Sequence, residues 1–233
     1  MVNGQRCYPL TILDDHSRFS LCLHANGGTN YEEFLPVFTR VLEEYGLPDA
    51  ILCDHGKPWG NGQGGFTPFE VWMMRMGVLP IHGRLKHPQT QGKDERFHRT
   101  LKNDLLKRRA FLDLADAQAA FDPFRREYNE ERPHEALNLE VPAKHYRPSK
   151  RRLYECDKPV IYDSGTRLRK VNFKGYLSIN QKRYYLSESL IGEYIQINDC
   201  EENVVSLQYG QFEIARIDLE QQMFISKRRS KVR

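Results

Sequence analysis

Long apolar runs and paired cysteines are both missing from this sequence, and each absence excludes a class of protein. No stretch approaches the roughly 18 consecutive apolar residues that a membrane-spanning helix needs. The five cysteines are scattered and none lies in a Cys-x-x-Cys pair, so neither a disulfide framework nor a zinc cluster is indicated. Met1–Arg6 lack the apolar core of a secretory signal. We therefore expect a protein of a reducing cytoplasm that does not bind a membrane.

Charge of one sign is also not in large excess. The 233 residues include 35 basic and 31 acidic side chains, for a net charge of +4, which by itself is a weak indication of a nucleic-acid partner. Hydrophobic residues make up 39 % of the chain, so a core can be buried and wholesale disorder is disfavoured. The length suits one large domain and a small one.

Strands and helices alternate in the first part of the chain. Residues 8–13 and 19–23 predict two strands joined by a tight turn, and an apolar stripe at helical spacing predicts a helix over residues 34–45. Residues 50–53 predict a short buried strand that delivers Asp54 at its C-terminal end. This alternation predicts an α/β layer fold.

Two further helices follow. Thr67-Pro68-Phe69-Glu70 has the pattern of a capping box with proline at the first helical position. A long helix is predicted from about Gln91 to about Arg109, with Phe97 and Leu101 on its buried face. Its other face carries Glu95, His98, Arg99 and Lys102.

The composition changes near residue 148. Residues 148–159 are predicted to be a basic linker, and six short strands with turns between residues 160 and 225 predict a small C-terminal β-barrel. Residues 226–233 form a basic tail. Residues 1–147 would then be one α/β domain.

Asp54 and Glu95 become informative as a pair. Metal-assisted phosphodiester chemistry needs acidic oxygens that converge on Mg²⁺ or Mn²⁺, and two such ions can hold the attacking and leaving oxygens. Arg99 and Lys102 lie beside Glu95 on the predicted helix, where they could contact phosphates. Taken singly, Asp54 could be an ordinary turn residue and Glu95 part of a solvated helix face.

An ordered set of motifs resembles the integrase core of bacterial insertion-sequence transposases, which is a DDE-type, retroviral-integrase-like catalytic core. The resemblance covers residues 6–150. Its motifs are Leu13-Asp14-Asp15-His16-Ser17-Arg18-Phe19, Tyr45-Gly46-Leu47-Pro48, Asp54-His55-Gly56, Trp59-Gly60, the run from His87 to Lys102, Tyr128-Asn129 and Arg132-Pro133-His134-Glu135-Ala136-Leu137.

The resemblance implies a fold and an activity. It implies an RNase H-like core, a mixed sheet flanked by helices, that carries out DNA transposition by metal-dependent phosphodiester hydrolysis and strand transfer. Asp54 matches the second catalytic acid of the family and Glu95 the third, and both would bind a pair of Mg²⁺ or Mn²⁺ ions. The implied partners are the DNA of element ends and target, with a homo-oligomer on DNA in the nucleoid of a bacterial cytoplasm.

The sequence departs from the family at the first acid. In the family this Asp lies on a strand that precedes residues 8–13, and Met1–Arg6 contain no acid. Asp14 and Asp15 match a turn motif instead, so no catalytic role is transferred to them. We therefore expect an N-terminally truncated core that does not catalyse strand transfer alone.

Two other functions stay open. One is a catalytically dead DNA-binding or assembly module derived from a transposase. The other is a nuclease of the same fold that acts on RNA hybrids, which the motifs after Glu95 disfavour because they look like those of transposases.

Basic residues predict where DNA would bind. His98, Arg99 and Lys102 flank Glu95, and residues 158–183 carry seven basic side chains against one acid. Within that segment Lys170 and Lys174 alternate with Val171 and Phe173, which predicts a strand with one basic and one apolar face. The tail adds Lys227, Arg228 and Arg229. A solvated sheet with a disordered tail is the alternative.

Overall fold

The computed structural model divides the chain into two compact units, which are described separately below. The first comprises residues 1–46 and 84–150, and the second residues 47–83 and 151–233. The residues that the structure describes are 1–54, 56, 59, 65–82, 92–226 and 230–231. None of the helices in these ranges is both long and apolar enough to cross a membrane.

The first unit begins with an antiparallel strand pair and a helix. Strand β1 (Tyr8–Leu13) pairs with β2 (Ser20–Asn26), and helix α1 (Tyr31–Tyr45) follows. Asn30 caps α1 by accepting the N–H of Glu33, and five apolar side chains at helical spacing are buried. The helix ends at Gly46, whose φ of +81° is readily adopted only by glycine. The predicted strands, turn and helix are confirmed.

Among the described residues, three further helices complete the first unit. Helix α3 (Gly92–Leu101) continues into a π-helical turn (Lys102–Leu106), and α4 (Leu114–Glu130) and the short α5 (Pro142–His145) follow. The sequence predicted one regular helix to about Arg109, which is wrong beyond Leu101, because the N–H of Lys107 bonds to the carbonyl of Lys102 five residues back. Apolar side chains of β2, α3 and α4 form one core.

The second unit contains a parallel strand pair. Strand β3 (Ala50–Cys53) runs parallel to β4 (Leu79–His82), and helix α2 (Pro68–Arg75) lies between them in the chain. The predicted capping box is present, because the Thr67 hydroxyl accepts the N–H of Glu70 and the Glu70 carboxylate accepts the N–H of Thr67.

The rest of the second unit is mainly antiparallel sheet. Helix α6 (Leu153–Cys156) is followed by eight strands in the part of the chain that the structure describes. They are β5 (Leu168–Lys170), β6 (Tyr176–Ile179), β7 (Lys182–Tyr185), β8 (Tyr194–Glu201), β9 (Val204–Tyr209), β10 (Phe212–Asp218), β11 (Met223–Ser226) and β12 (Ser230–Lys231). The strands pair in the order β11-β10-β9-β8-β5, β12 pairs with β10, and β6 and β7 form a separate hairpin. The hairpin and the sheet share one apolar core.

The chain is thus a mixed α/β protein, as the sequence predicted. The described strands form open sheets, whereas the sequence predicted a closed barrel over residues 160–225. The structure also places residues 47–83 in the same unit as residues 151–233, whereas the sequence predicted a division near residue 147. The predicted domain boundaries remain a prediction.

Candidate active site

Asp54 directly follows β3, at the carboxyl end of the parallel pair. Its side chain is exposed, and its Oδ1 accepts the backbone N–H of Gly56 at 2.8 Å. Its backbone carbonyl lies 2.9 Å from Nδ1 of His82, the last residue of β4. Ligands of open α/β sheets bind at this end of the strands, so the carboxylate lies where the fold places functional groups.

A buried carboxylate supports the end of β3. Nε2 of His82 lies 2.7 Å from Oε1 of Glu70, whose side chain is fully buried. Oε2 of Glu70 accepts the N–H of Thr67 at 2.7 Å, so one carboxylate caps α2 and orients the imidazole. The imidazole in turn contacts the carbonyl of Asp54. The sequence identified Glu70 only as a capping residue, because its link to His82 depends on how α2 packs against β4.

Glu95 lies in the first turn of α3, on a face that points to solvent. Glu95, Arg99 and Lys102 are all exposed, and their spacing of four and three residues puts them on one side of the helix. Phe97 and Leu101 are fully buried on the other side, as predicted. Among the described residues, no hydrogen bond or ion pair involves these three polar side chains. An exposed carboxylate between cations is therefore available for ligands.

Asp94, the neighbouring acid, is engaged within its own unit. Its Oδ1 accepts the hydroxyl of Thr11 at 3.3 Å, and its Oδ2 lies 3.3 Å from Nε2 of His98. Nε2 of His98 also lies 3.0 Å from the Thr11 hydroxyl. The hydrogen bond with Asp94 raises the pKa of His98, against a smaller opposing effect of burial. Asp94 therefore anchors α3 to β1, and Glu95 remains the better candidate for a metal ligand.

The His98 contact gives a prediction about pH. Because the pKa of His98 is raised above its unfolded value of about 6.5, its contribution to stability is complete below that value and is lost as pH rises through the folded pKa. His98 should also bind phosphate best in the same acidic range. We expect Asp94→Asn to lower the pKa of His98, measured by NMR titration of its ring protons, and Asp116→Asn to leave it unchanged. An unchanged His98 pKa in Asp94→Asn would contradict the assignment.

The Asp14 and Asp15 carboxylates have structural roles in the β1–β2 turn. Oδ2 of Asp14 accepts both the N–H and the hydroxyl of Ser17, at 2.7 and 2.6 Å. Oδ1 of Asp15 lies 2.5 Å from the ammonium of Lys93. These contacts agree with the turn motif that the sequence indicated, and they leave the Asp14 carboxylate occupied by its own turn.

The Tyr128 ring packs on the buried side of α3, and His134 packs against that ring. The Tyr128 ring packs edge-to-face against Phe97 and against His134, with centroid distances of 4.8 Å in both cases. Burial is the main cause that lowers the pKa of His134, and nearby arginines add to it. A half-buried imidazole whose pKa is lowered carries less positive charge and is a poor phosphate contact. Sequence reasoning missed this packing role, because it depends on ring contacts between α3, α4 and the following loop.

The basic residues of the second unit are placed differently from the prediction. Lys170 and Lys174 are exposed as expected, but β5 ends at Lys170 and Lys174 lies in the following turn. The predicted alternation is therefore wrong beyond residue 171. Val171 is buried, whereas Phe173 is 78 % exposed. Lys227, Arg228 and Arg229 lie outside the described residues.

The donor chemistry suits a hard divalent cation. Asp54 and Glu95 are exposed carboxylates, and Mg²⁺ and Mn²⁺ prefer oxygen ligands. Within the described ranges, no three histidine, cysteine or acidic side chains are grouped as they would be around a metal ion. Asp54 belongs to one compact unit and Glu95 to the other, so their convergence on one ion stays a prediction.

Comparison with known protein families gives a match. Residues 76–142 match the family model of the integrase core domain, a range that includes Glu95, Arg99 and Lys102. The Tyr128-Asn129 and Arg132–Leu137 motifs fall in the same range.

Similar proteins come from bacterial insertion elements. The chain is 26 % identical over 141 residues to the insertion element IS407 uncharacterized 31.7 kDa protein of Burkholderia multivorans, covering 60 % of this chain and 49 % of that protein. It is 24 % identical over 143 residues to the IS476 uncharacterized 39.2 kDa protein of Xanthomonas euvesicatoria, covering 61 % and 40 %. It is 32 % identical over 129 residues to an IS136 uncharacterized protein of Agrobacterium fabrum, covering 53 % and 64 %.

The chain therefore spans about half the length of these relatives, and the matches cover a little over half of the chain itself. The predicted resemblance is confirmed: residues 76–142 match the integrase core domain, and the chain is similar to proteins of bacterial insertion elements.

Proposed function

We propose that this chain acts in DNA transposition, as the core of an enzyme that hydrolyses phosphodiester bonds and transfers DNA strands with divalent metal. The observation that carries the proposal is the exposed face of α3, where Glu95 stands between cations without a partner among the described residues. The match of residues 76–142 to the integrase core supports it.

The proposal assigns a role to each candidate residue. Asp54 and Glu95 would supply carboxylate ligands to Mg²⁺ or Mn²⁺, and the bound ions would stabilise the charge that develops on the attacking and leaving oxygens. Arg99 and Lys102 would hold a DNA phosphate beside Glu95, and His98 would add positive charge when protonated. Glu70 and His82 would position the end of β3 and so the backbone of Asp54.

The architecture of the proposal follows the family resemblance. We propose an RNase H-like core over residues 1–147, a basic linker over residues 148–159, and a small all-β domain of open sheets over residues 160–225 with a basic tail. The shared apolar core of the β6–β7 hairpin and the six-stranded sheet supports a compact β domain. A homo-oligomer assembled on DNA ends would be the active form.

The second candidate function is a DNA-binding or assembly module without chemistry. One observation favours it: the Asp14 carboxylate is bonded to Ser17 and the Asp15 carboxylate contacts Lys93, so both acids of the β1–β2 turn are engaged within the protein. A joining assay with pre-cut element ends, plasmid target and Mg²⁺ or Mn²⁺ separates the two. It should be run with residues 1–233 and with the same chain extended upstream in its reading frame. Joining by either form supports the enzyme, and DNA binding without joining by both supports the module.

DNA binding itself should depend on salt in a way that identifies the contacts. We expect each of Arg99→Gln, Lys102→Gln, Lys170→Gln and Lys174→Gln to reduce the slope of log K against log salt by about 0.9, since each contact releases about one counterion. Deletion of residues 227–233 should reduce it further. Fluorescence anisotropy of a labelled duplex at several salt concentrations measures the slope.

A paired lysine provides the control for this experiment. The ammonium of Lys144 lies 3.1 Å from the carboxylate of Glu140, four residues before it, so its charge is already paired within the protein. Lys144→Gln should leave the slope nearly unchanged. Slopes that fall equally for Lys144→Gln and Lys102→Gln would show that net charge, and not a defined footprint, sets the affinity.

A further inference from the structure

The turn between β5 and β6, residues 172–175, displays a phenylalanine to solvent. We call it the aromatic turn. Phe173 is 78 % exposed, although the residue two before it, Val171, is fully buried. An isolated exposed apolar side chain on a protein surface is ordinary. Phe173 differs from such a residue because its backbone is held by hydrogen bonds and because basic side chains surround it.

Hydrogen bonds fix the backbone of the aromatic turn. The Asn172 side-chain oxygen accepts the N–H groups of Lys174 and Tyr176, at 2.9 and 3.0 Å. The N–H of Gly175 bonds to the carbonyl of Asn172, also at 2.9 Å.

Close packing adds to this rigidity. Gly175 has φ +77°, and a Cβ there would lie 2.8 Å from the Ser187 backbone, so only glycine fits. Phe173 therefore stands on a preorganised backbone, which reduces the entropy lost when its ring binds a ligand.

Basic side chains surround the aromatic rings of this region. The Lys174 ammonium lies 5.6 Å from the centroid of the Phe173 ring. On the neighbouring strands, the Lys170 ammonium lies 5.6 Å from the centroid of Tyr194, which is half exposed. A lysine thus lies over an aromatic ring at two places in this segment.

The outer face of the β6–β7 hairpin extends this pattern. Tyr176 and Tyr185 are directly opposite each other with ring centroids 5.2 Å apart. The next pair on that face is Ser178 and Arg183, both exposed. Residues 158–183 together carry seven basic side chains against one acidic side chain.

We propose that the aromatic turn stacks an unpaired DNA base on Phe173, while Lys170, Lys174 and Arg183 contact the flanking phosphates. This deepens the proposed function and rests on it. Phosphate contacts alone need no exposed ring, and the bases of an intact duplex are covered by their neighbours. Every unpaired base offers a face for stacking, so the contact tolerates any sequence. A protein partner fits less well, because lysine is depleted in protein interfaces.

The test compares three probes on the full chain: a DNA duplex, the same duplex with a six-nucleotide single-stranded overhang, and the single strand alone. By anisotropy, Phe173→Ala should weaken binding of the overhang and single-strand probes about 5- to 100-fold and change duplex binding less than twofold. Phe173→Trp should restore both. Lys174→Gln should weaken all three, because phosphates occur in each probe.

The outcomes separate this proposal from the broader one. An equal effect of Phe173→Ala on all three probes, or no effect on any, overturns the stacking proposal and leaves the DNA function standing. Failure of the unsubstituted chain to bind any probe overturns both. A thermal melt of Phe173→Ala establishes that the variant is folded.

A second measurement uses the unsubstituted chain. Ultraviolet cross-linking of a single strand that contains 5-iodouracil should label the peptide that carries Phe173. Labelling only elsewhere overturns the proposal. A change in the molar mass measured by analytical ultracentrifugation for Phe173→Ala, with DNA binding unchanged, also overturns the proposal. That result would identify the surface as a self-association site.

Discussion

Replacing Glu95 by glutamine should reduce DNA strand joining by about 1,000-fold. A neutral amide is a much weaker ligand for Mg²⁺ than a carboxylate, and loss of one charged ligand removes several kcal/mol of charge stabilisation, each 1.36 kcal/mol being about tenfold in rate. Glu95 is exposed on α3 and is not required by its own fold, so the substituted protein should remain folded. DNA binding should be retained, because Arg99 and Lys102, the proposed phosphate contacts, are unchanged. Joining of pre-cut ends to a plasmid, with binding measured in parallel, tests both statements.

Asp94 provides a matched control for Glu95. It is the adjacent acid on the same helix, but its carboxylate contacts Thr11 and His98. Asp94→Asn should reduce joining no more than about fivefold, since a surface pair of this kind contributes at most about 1 kcal/mol. If Asp94→Asn abolishes joining and Glu95→Gln does not, the acid has been assigned to the wrong residue. The assay is meaningful in whichever form of the chain, 1–233 or extended upstream, shows joining.

The helices and their caps could be predicted because interactions between residues close in the sequence determine them. The apolar spacing of Phe34, Val37 and Phe38 requires a helix with one buried face, and Gly46 ends it at a positive φ. The capping box at Thr67 and Glu70 involves residues three apart in the chain. The buried and exposed faces of α3 follow from its 3.6-residue period, so Glu95, Arg99 and Lys102 could be placed on one side from sequence.

Contacts between distant segments could not be predicted in this way. Nothing in the spacing of Glu70 and His82 indicates that they meet, since the contact depends on how α2 packs against β4. The role of Tyr128 as a support for Phe97 likewise needs α4 to pack on α3.

A side chain that hydrogen-bonds to the nearby backbone can also override the alternation of polar and apolar residues. Phe173 was predicted to face a core because it alternates with lysines, but the Asn172 side chain draws the backbone into a turn after β5. The alternation of polar and apolar residues therefore stops predicting burial at Asn172.

Glu70→Ala should lower the free energy of unfolding of its unit by about 3 kcal/mol. Removal of a buried, hydrogen-bonded carboxylate costs about 3–5 kcal/mol where a charged partner remains, and loss of a helix cap costs about 1 kcal/mol. Here the substitution would leave the Thr67 N–H without its side-chain acceptor and His82 Nε2 without its carboxylate. The two tryptophans of the chain, Trp59 and Trp72, both lie in this unit, so their fluorescence in a urea titration reports on its unfolding.

Two variants test whether the loss in free energy of unfolding comes from the buried contacts of Glu70. Glu202→Ala removes an exposed acid from the turn between β8 and β9 in the same unit, so it should cost no more than about 0.5 kcal/mol. Glu70→Gln can still accept the Thr67 N–H and should cost clearly less than Glu70→Ala. If Glu70→Ala were as mild as Glu202→Ala, the contacts of Glu70 with Thr67 and His82 would not stabilise this unit. A large loss would instead show that the unit depends on this buried carboxylate, which caps α2 and contacts the imidazole that lies against the carbonyl of Asp54.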